Sequence, residues 1–406
     1  MKVLLVGSGG REHALAWALA RSPLLDELHA APGNPGIAAL GQCHPIHAED
    51  ADGLLELARA IDAGLVVIGP EAPLVAGVAD ELRHAGVPVF GPSAGAARIE
   101  GSKSFAKEIM TAAGVPTAAV LPEPRAPCVV KADGLAAGKG VFVCRSQSEL
   151  DDAVRAASAF GGGVVVEELL EGDELSVFAL CDGSRPIPLP AARDYSRAGD
   201  GDTGPNTGGM GAYSPVEGFG PARTAELVEA IHAPILTQLA LRGAPFVGVL
   251  YAGLMLTADG PRVLEFNCRF GDPETQAIVP LLGGDLLPAL GGAAAGELVD
   301  AGELLPVEPG RAAVCLALTG ADYPERGDRG SPIGGIDAAE AAGALVFHAG
   351  TARHDGALVT NGGRILNVTA VGATVREARE RAYAAAGRIS FAGVKYRGDI
   401  AAGADG

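Results

Sequence analysis

Aromatic side chains, paired cysteines and long apolar runs are all scarce in this sequence. Aromatic residues make up 4% of the 406 residues, so aliphatic side chains must build the cores. The six cysteines are scattered without a CxxC pair, which favours reduced, mostly buried thiols over a disulfide framework or a zinc site. No apolar run approaches the ~20 residues of a membrane span, and no signal-peptide pattern opens the chain. We therefore expect a cytoplasmic protein without a membrane partner.

Positive charge is also in short supply, with 31 Lys and Arg against 49 Asp and Glu and a net charge of −18. This balance argues against nucleic acid, whose binding depends on basic residues that neutralise phosphates. Small anionic substrates remain compatible, because a local cationic pocket outweighs a diffuse negative field. Of the six lysines, four fall within 37 residues: Lys103, Lys107, Lys131 and Lys139. A need for point charges at phosphates explains this cluster, and chance is the alternative.

Length and hydrophobic patterning predict two to four domains. Strands alternating with helices predict a parallel sheet at the N terminus, with elements at 2–6, 11–21, 65–68, 74–84 and 87–90. The central elements are predicted at 102–113, 128–132, 140–144, 148–159, 163–168, 221–241, 247–256 and 262–268. A Gly-rich segment over 199–211 is predicted to be a mobile loop. A final α+β unit is predicted from 312–318, 344–348, 364–371 and 374–388.

A first glycine cluster, Gly7-Ser8-Gly9-Gly10, separates the first strand from the first helix. Its backbone N–H groups and the helix N-terminus favour a phosphate or phosphosugar, with Arg11 as the charge partner. A dinucleotide fingerprint is incomplete, because Glu12 stands at the third glycine and no acid follows the second strand, which ends at Pro32. A purely structural turn is the remaining interpretation. His13 is either part of the site or a capping or packing residue.

A second glycine cluster follows Lys131 and runs from Gly134 to Gly140. It fails the P-loop pattern, since the glycine spacing is one residue too short and Gly140 stands where Ser or Thr binds magnesium. The next residues, Val141–Val143, are typical of a strand. The pattern predicts a flap between two strands that closes over phosphates, with Lys131 and Lys139 supplying charge. An ordinary hairpin would explain the glycines but not the lysines.

A third segment, Val263–Phe270, alternates apolar and polar side chains. On a strand, Glu265, Asn267 and Arg269 share one face. A carboxylate and an amide oxygen two residues apart suit Mg²⁺, which takes oxygen ligands from one or two protein groups and from substrate phosphates. Arg269 is then free to hold a carboxylate bidentately. A solvated strand face is the alternative, although the segment continues into the Gly/Pro-constrained 271–276.

Together these segments resemble the phosphoribosylamine–glycine ligase family of the ATP-grasp superfamily, over almost the whole chain. The resemblance rests on the blocks GSGGREHALAW (7–17), GPEAPLV (69–75), VVKADGLAAGKGV (129–141), GDGDTGPNTGGMGAYSP (199–215), LEFNCRFGDPETQ (264–276), VFHAGT (346–351) and YRGDI (396–400). It implies an α/β multidomain protein. The implied domains are an N-terminal Rossmann-like domain over 1–98, central ATP-grasp α+β lobes over 99–306 with a flap lobe at about 117–180, and a small C-terminal α+β domain over 307–406.

By the same resemblance, ATP phosphorylates the carboxylate of glycine, and the amine of 5-phosphoribosylamine then attacks the acyl phosphate. The products are glycinamide ribonucleotide, ADP and phosphate, as in purine biosynthesis. Mg²⁺ or Mn²⁺ is the implied metal, and the implied partners are these small-molecule substrates, with the protein a monomer or weak dimer. Catalysis is then mainly positioning and charge neutralisation.

The resemblance also implies roles for individual residues. ATP binding falls to Lys107, Lys131, Gly138, Lys139, Gly140, Glu167, Glu168, Leu170 and Glu174. Of these, Lys107 and Lys131 are at the phosphates, residues 167–170 are beside adenine and Glu174 is at the ribose. The metal falls to Glu265 and Asn267. The catalytic group that orients glycine and the acyl phosphate comprises Arg269, Asp202 and Asn206. Further substrate contacts fall to Gly9, Gly10, Arg11, Pro70, Glu71, Asp194, Thr203, Gly208, Gly271 and Asp272.

One position departs from the family pattern, which carries a lysine before the Gly-rich loop where this chain has Ser196. Arg197 is the nearest basic substitute for that lysine. Three competing interpretations are another ATP-grasp ligase or a carboxylase, a nicotinamide-dependent dehydrogenase, and a non-catalytic nucleotide sensor. The segment 199–215 and the N-terminal glycine block argue against the first. The missing acid after the second strand argues against the dehydrogenase, and the complete phosphate and metal set argues against the sensor.

Overall fold

The structure, a computed structural model, describes residues 1–136, 138–298 and 305–404. Within these ranges the strands form six sheets, and no helix is both long and apolar enough to cross a membrane. The α/β multidomain class is confirmed, whereas the domain boundaries at 98 and 306 stay predictions. Ala137, inside the predicted flap, lies outside the described residues.

The N-terminal sheet is parallel, with the strand order β3-β2-β1-β4-β5. Its strands are β1 Lys2–Gly7, β2 Glu27–Pro32, β3 Gln42–Cys43, β4 Leu65–Ile68 and β5 Val89–Phe90, and its helices are α1 Gly10–Leu19, α2 Ala51–Ala60, α3 Glu71–Ala76 and α4 Val78–His84. Alternate residues of β1 enter two separate cores, Leu4 and Val6 on one face and Val3 and Leu5 on the other. A sheet buried on both faces is what a nearly continuous aliphatic strand predicts. The predicted Rossmann-like sheet is confirmed.

Two predicted elements of this part differ from the structure. The helix predicted over 74–84 is two helices, because Gly77 between them adopts a φ of +91°, a left-handed conformation that ends a helix. The strand predicted over 87–90 is shortened to β5, which begins only after Pro88, a residue without an N–H to donate. Helix α5, Ala94–Gly101, was not predicted, and α6, Lys103–Ala113, matches its prediction within one residue.

A small antiparallel sheet with the order β7-β6-β8 follows. Its strands are β6 Cys128–Ala132, β7 Val141–Cys144 and β8 Val164–Glu168, and helix α7 Gln147–Ser158 packs on it. Side chains such as Val130 and Leu150 form a core of their own. The predicted strands and helix agree with these bounds within one residue. The Gly-rich segment between β6 and β7 therefore projects from a lobe that is packed separately from the rest of the chain.

The larger central sheet has the order β10-β9-β15-β16. Its strands are β9 Asp173–Asp182, β10 Pro186–Pro188, β15 Val247–Thr257 and β16 Gly260–Asn267, accompanied by α8 Pro221–Leu241, α9 Glu274–Ile278 and α10 Leu286–Ala295. The predicted hairpin β15–β16 and helix α8 are confirmed. Strand β9 was missed, because eight of its ten residues are buried and its sequence does not alternate.

The C-terminal sheet has the order β11-β14-β17-β22-β19. Its strands are β11 Arg193–Asp194, β14 Gly211–Ser214, β17 Ala312–Thr319, β19 Leu345–His348 and β22 Arg364–Gly372, with helices α11 Ile336–Ala341 and α12 Val375–Ala386. Two short sheets are β12 Arg197–Gly199 with β13 Thr203–Asn206, and β18 Asp328–Pro332 with β20 Thr351–His354 and β21 Ala357–Gly362. The loop predicted over 199–211 is corrected: it contains a paired hairpin, and β14 beyond it joins β17.

Candidate active site

A cleft of about 950 Å³ lies between the small β6–β8 lobe, the central sheet and the loops that follow β1 and β4. Most of the predicted site residues line this cleft, including Lys131, Glu265 and Arg269. Five described residues with predicted roles do not line it: Gly10, Lys107, Lys139, Thr203 and Gly271. Most residues of the predicted site therefore lie together in the fold, although they come from separated parts of the chain.

The two lysines assigned to phosphates share one buried carboxylate. Lys107 Nζ lies 2.9 Å from Glu167 Oε1, and Lys131 Nζ lies 2.7 Å from Glu167 Oε2. Strands β6 and β8 create this arrangement, because Glu167 is paired with Val129 and so lies diagonally across from Lys131 on the same face. Glu167 is 2% exposed. Burial lowers the pKa of Lys107, and the negative charge of Glu167 acts in the opposite direction. The side chain of Glu167 thus faces the lysines.

The predicted metal pair lies on strand β16, where the two-residue period puts Glu265 and Asn267 on one face. Glu265 Oε2 is 2.9 Å from Lys103 Nζ, and the Lys103 charge, with help from Lys131, lowers the pKa of Glu265 to about 2. The Oδ1 atom of Asn267 accepts a hydrogen bond of 3.1 Å from Arg269. An ionised carboxylate and an amide oxygen are the hard donors that Mg²⁺ prefers, so this pair fits a divalent cation.

The metal pair is small, with one carboxylate and one amide oxygen. In the parts of the chain that the structure describes, no group of three or more His, Cys, Asp and Glu side chains is placed to hold a metal ion. A cation bound by one carboxylate and one amide still needs about four more oxygen ligands, which phosphates and water normally supply. The donor set therefore fits a metal that arrives with a nucleotide.

Arg269 follows β16 and is held in place by two carboxylates. Its guanidinium lies 3.2 Å from Glu71 Oε2 and 3.0 Å from Glu100 Oε1. Although burial acts to raise it, the charges of Arg269 and Arg11 lower the pKa of Glu71 to about 2. Two guanidinium groups, those of Arg269 and Arg11, therefore face the ionised Glu71 at the side of the cleft near α3.

Three acids at the floor of the cleft have raised pKa values. Burial, followed by the charge of Glu174, raises the pKa of Asp194 to about 7. Burial and Asp194 likewise raise the pKa of Glu274 to about 7, and burial raises that of Glu174. The Oγ of Ser176 donates to Asp194 over 3.2 Å. These acids come from β9, β11 and α9, so the fold brings together like charges whose mutual repulsion and burial favour the protonated forms.

The glycines at the start of α1 are required by close packing. A Cβ on Gly10 would lie 2.2 Å from Asn367 Oδ1, so no larger residue fits between α1 and β22. The N–H of Gly9 donates to Glu12 over 2.6 Å and closes the first helical turn. His13 is a packing residue, because its Nδ1 accepts a hydrogen bond of 2.7 Å from the backbone of His348.

The flap meets the Gly-rich segment and the C-terminal part of the chain. A Cβ on Gly138 would lie 2.9 Å from the carbonyl oxygen of Thr207, and Lys139 Nζ donates to the carbonyl of Pro324 over 3.2 Å. Lys139 therefore points away from the cleft in this structure. The φ of Gly138 is +76°, which explains the need for glycine at this contact.

Sequence reasoning did not assign roles to three basic residues at the site. Lys103 was recognised as part of the lysine cluster, which was the available signal, but its contact with Glu265 was not foreseen. Arg364 on β22 donates to Asp272 Oδ2 over 2.7 Å and to the carbonyl of Gly208 over 2.6 Å. Arg397 donates to Asp202 Oδ1 over 2.8 Å. The two arginines lie about 90 to 200 residues from these partners, so no local pattern indicates the contacts.

Comparisons with known proteins cover the chain from end to end. The description "Phosphoribosylglycinamide synthetase, N domain" matches residues 1–100, the ATP-grasp (A) domain of the same family matches 101–275, and its C domain matches 313–403. A phosphoribosylamine–glycine ligase of Streptomyces coelicolor is 49% identical over the full length of both chains. One from Brucella melitensis is 48% identical, over 98% of this chain and 97% of its own.

Solved structures agree with the sequence relatives. A phosphoribosylamine–glycine ligase from Thermotoga maritima has a TM-score of 0.84 and 37% identity, over 98% of this chain and all of its own. A biotin carboxylase domain from Hydrogenobacter thermophilus, solved with MgADP, has a TM-score of 0.72 at 19% identity, over 97% and 91% of the two chains, and shares the fold. The site geometry, the matched domains and these relatives together place the chain in the phosphoribosylamine–glycine ligase family, with a central ATP-grasp domain.

Proposed function

We propose that this protein is a carbon–nitrogen ligase that joins glycine to 5-phosphoribosylamine at the expense of ATP, in de novo purine biosynthesis. The γ-phosphoryl group of ATP passes to a carboxylate oxygen of glycine, and ADP leaves. The neutral amine of phosphoribosylamine then attacks the carbonyl carbon of glycyl phosphate, phosphate leaves, and the amine loses a proton. The observation that carries this function is the cleft itself, where Lys131, the Glu265–Asn267 pair and Arg269 line one space with Glu167, the carboxylate that also pairs with Lys107.

The nucleotide belongs in the half of the cleft below the flap. Lys107 and Lys131 contact its phosphates, and the glycines from Gly134 to Gly140 close over them. The strand end from Glu167 to Leu170 borders the adenine, with Glu168 and Leu170 in the lining of the cleft. Glu174 holds the ribose hydroxyls.

Glu265 and Asn267 bind Mg²⁺, with Mn²⁺ as the alternative. When bound, such a cation neutralises the charge of the transferring phosphoryl group. Glu265 suits this role because the Lys103 charge holds its pKa at about 2, so the carboxylate is ionised at every physiological pH. The metal-binding step accordingly requires no proton release from Glu265 near neutral pH.

The acceptor half of the cleft lies toward α1 and the Gly-rich segment. Arg269, Asp202 and Asn206 orient glycine and the acyl phosphate. The phosphoribosylamine lies against the start of α1 and the loop before α3, with contacts from Gly9, Gly10, Arg11, Pro70 and Glu71. Further substrate contacts are assigned to Asp194, Thr203, Gly208, Gly271 and Asp272. Positioning provides the rate enhancement, because an unprotonated amine needs no strong base when it attacks.

We propose a cytoplasmic enzyme that works as a monomer or weak dimer on small-molecule substrates, without a nucleic-acid or membrane partner. The net charge of −18 supports the absence of a nucleic-acid partner.

The direct test of this function is an omission assay. Release of ADP is measured with ATP, Mg²⁺, glycine and freshly prepared phosphoribosylamine, and each component is then left out in turn. We expect turnover with the complete mixture alone. Equal turnover without phosphoribosylamine, or none with all components, would reject the assignment.

The metal assignment has its own test in Glu265→Gln. This change removes the negative charge and leaves the shape, so ADP release is expected to fall by at least about 100-fold, since a charged metal ligand is lost. Asp259→Asn, the same chemical change in the turn of the same hairpin, is the control and should retain full activity. Retention of most activity in Glu265→Gln would show that this carboxylate is not a metal ligand.

A further inference from the structure

The segment after α12 contacts the hairpin β12–β13, far from it in sequence. Arg397 of this segment is 2% exposed and donates four hydrogen bonds. Two go to the carboxylate of Asp399, over 2.7 and 2.6 Å, one to Asp202 Oδ1 over 2.8 Å, and one to the carbonyl of Arg197 over 3.0 Å. Its guanidinium also lies over the ring of Tyr195, 4.9 Å from the ring centre. One buried cation thus connects both ends of the hairpin.

The contact is reciprocal along the backbone. The N–H of Gly201 donates to Asp399 Oδ2, and the N–H of Gly398 donates to Asp200 Oδ1, both over 2.8 Å. Hydrogen bonding to Arg397 lowers the pKa of Asp399 to about 2, so this carboxylate stays charged. Bidentate pairing with Asp399 fixes the plane of the guanidinium, and that plane directs the remaining donor at Asp202.

The hairpin contributes little to its own placement. Of the residues in β12 and β13, only Ala198 is buried, and Thr203, Gly204 and Pro205 are exposed. Asp202 in its turn adopts a φ of +52°, a left-handed conformation that costs free energy for a residue other than glycine. An isolated two-stranded hairpin is marginal in water, so its position depends on outside contacts. The buried guanidinium of Arg397 provides two of them, at the carbonyl of Arg197 and at the carboxylate of Asp202.

We propose that Arg397 is a positioning residue for the ligase reaction. It holds the hairpin so that Asp202 and Asn206, which line the cleft, face glycine and its acyl phosphate. Arg397 itself does not line the cleft, and it acts through the carboxylate of Asp202 and the backbone of Arg197. This inference rests on the proposed function, because the chemistry that it supports is the activation of glycine.

The chain offers a matched control in Arg379. Its guanidinium holds the same C-terminal segment, through the carbonyls of Gly398 and Ile400, and lies over the ring of Tyr383, 4.6 Å from the ring centre. Both arginines therefore stack on a tyrosine and donate hydrogen bonds to the same C-terminal segment. Only Arg397 of the two reaches the hairpin among the described contacts. A comparison of Arg397→Met with Arg379→Met separates placement of the hairpin from general packing of the segment.

Two readouts distinguish the proposal from a failure of the proposed function. The first is amide hydrogen exchange of residues 199–206, which needs no activity, and we expect faster exchange in Arg397→Met and unchanged exchange in Arg379→Met. The second is steady-state kinetics, where we expect kcat to fall by about tenfold or more and KM for glycine to rise, with KM for ATP unchanged. In Arg397→Lys, the exchange rates and the kinetic constants should lie between those of the wild type and those of Arg397→Met, because one ammonium cannot both hold Asp399 bidentately and reach Asp202.

Opposite results would overturn the proposal. Unchanged exchange and kinetics in Arg397→Met would show that the hairpin is placed without Arg397. Equal losses in the two arginine variants would show that the segment has only a packing role. If Arg397→Met does not fold, Arg397→Lys carries the same comparison. An inactive wild-type protein would reject the proposed function, whereas hydrogen exchange would still measure whether Arg397 holds the hairpin.

Discussion

Glu167 pairs with two lysines below the flap, Lys107 and Lys131. Both ion pairs are shorter than 3 Å, and the carboxylate is almost completely buried. The sequence predicts this residue beside adenine, and in the structure its side chain contacts Lys107 and Lys131, the lysines that are predicted at the phosphates. A buried charge without a partner is costly, so the lysines depend on Glu167 until nucleotide phosphates lie near them.

Glu167→Gln tests this dependence. Loss of one partner from a buried ion pair costs about 3–5 kcal/mol, so Tm should fall by several degrees without nucleotide. MgATP brings negative charge to Lys107 and Lys131, and it should therefore raise Tm more in the variant than in the wild type. Both values are measured by thermal unfolding with and without MgATP.

Glu168→Gln is the matched control for that experiment. Glu168 pairs with Arg262 over 3.0 Å in a partly exposed position, and such pairs contribute about 0–1 kcal/mol. Its Tm without nucleotide should therefore stay near that of the wild type. If Glu167→Gln unfolds at the wild-type temperature, the lysines do not depend on this carboxylate.

Helices α3 and α4 show how one glycine divides an element. Gly77 adopts a φ of +91°, and a Cβ there would meet its nearest neighbour at 3.8 Å, so alanine fits sterically but strains the backbone. Gly77→Ala should lower the free energy of unfolding by about 1 kcal/mol. Gly291 lies inside α10 with open space around its Cβ position, and Gly291→Ala should instead be stabilising by roughly 0.5–1 kcal/mol.

Urea unfolding of the wild type and of the two alanine variants measures these changes in the free energy of unfolding. The opposite signs matter, because both changes add the same methyl group and reduce the freedom of the unfolded chain alike. Destabilisation of similar size in both variants would contradict the explanation from the left-handed conformation of Gly77.

Local patterns predicted the elements that carry the site, but not the contacts between them. The hairpin β15–β16 follows from alternation and from the turn at Asp259, and the same alternation put Glu265 and Asn267 on one face. Strand β9 was missed because burial on both faces removes alternation. The glycines of the segment 199–211 predict a loop and give no sign of the pairing of β12 with β13.

At the scale of the whole molecule, the C-terminal part completes a site whose motifs lie earlier in the chain. Arg364 binds Asp272 and the carbonyl of Gly208, and Arg397 binds Asp202. Each of these arginines donates hydrogen bonds to residues that are far away in the sequence. Only the tertiary packing brings these partners together, so the spacing of residues along the chain does not indicate them. Most of the site residues predicted from the sequence therefore line the cleft, but the sequence did not predict which basic residues hold them.

The N- and C-terminal parts also meet at His13. Its Nδ1 accepts the backbone N–H of His348, and its ring lies 5.6 Å from that of Phe347. Burial, followed by the charge of His348, lowers the pKa of His13 from 6.5 to about 3. A protonated Nδ1 cannot accept this hydrogen bond. The contact between the two parts therefore requires the neutral ring.

The sign of the pH effect follows from this lowered pKa. Between pH 6.5 and about 3 the unfolded chain binds a proton at His13 that the folded chain does not, so stability falls as the pH falls through this range. The difference amounts to a few kcal/mol for one group. Asp194 and Glu274, with pKa values of about 7, act in the opposite direction, so only a comparison of variants isolates His13.

His13→Asn provides that comparison, because an amide oxygen can accept the same hydrogen bond but does not titrate in this range. The free energy of unfolding should fall less steeply in the variant than in the wild type between pH 6.5 and 4.5, even if the lost ring contacts lower it throughout. His84→Asn changes an exposed histidine on α4 and should keep the wild-type slope. Because the slope counts protons taken up on unfolding, an unchanged slope in His13→Asn would mean that His13 is protonated equally in the folded and unfolded states.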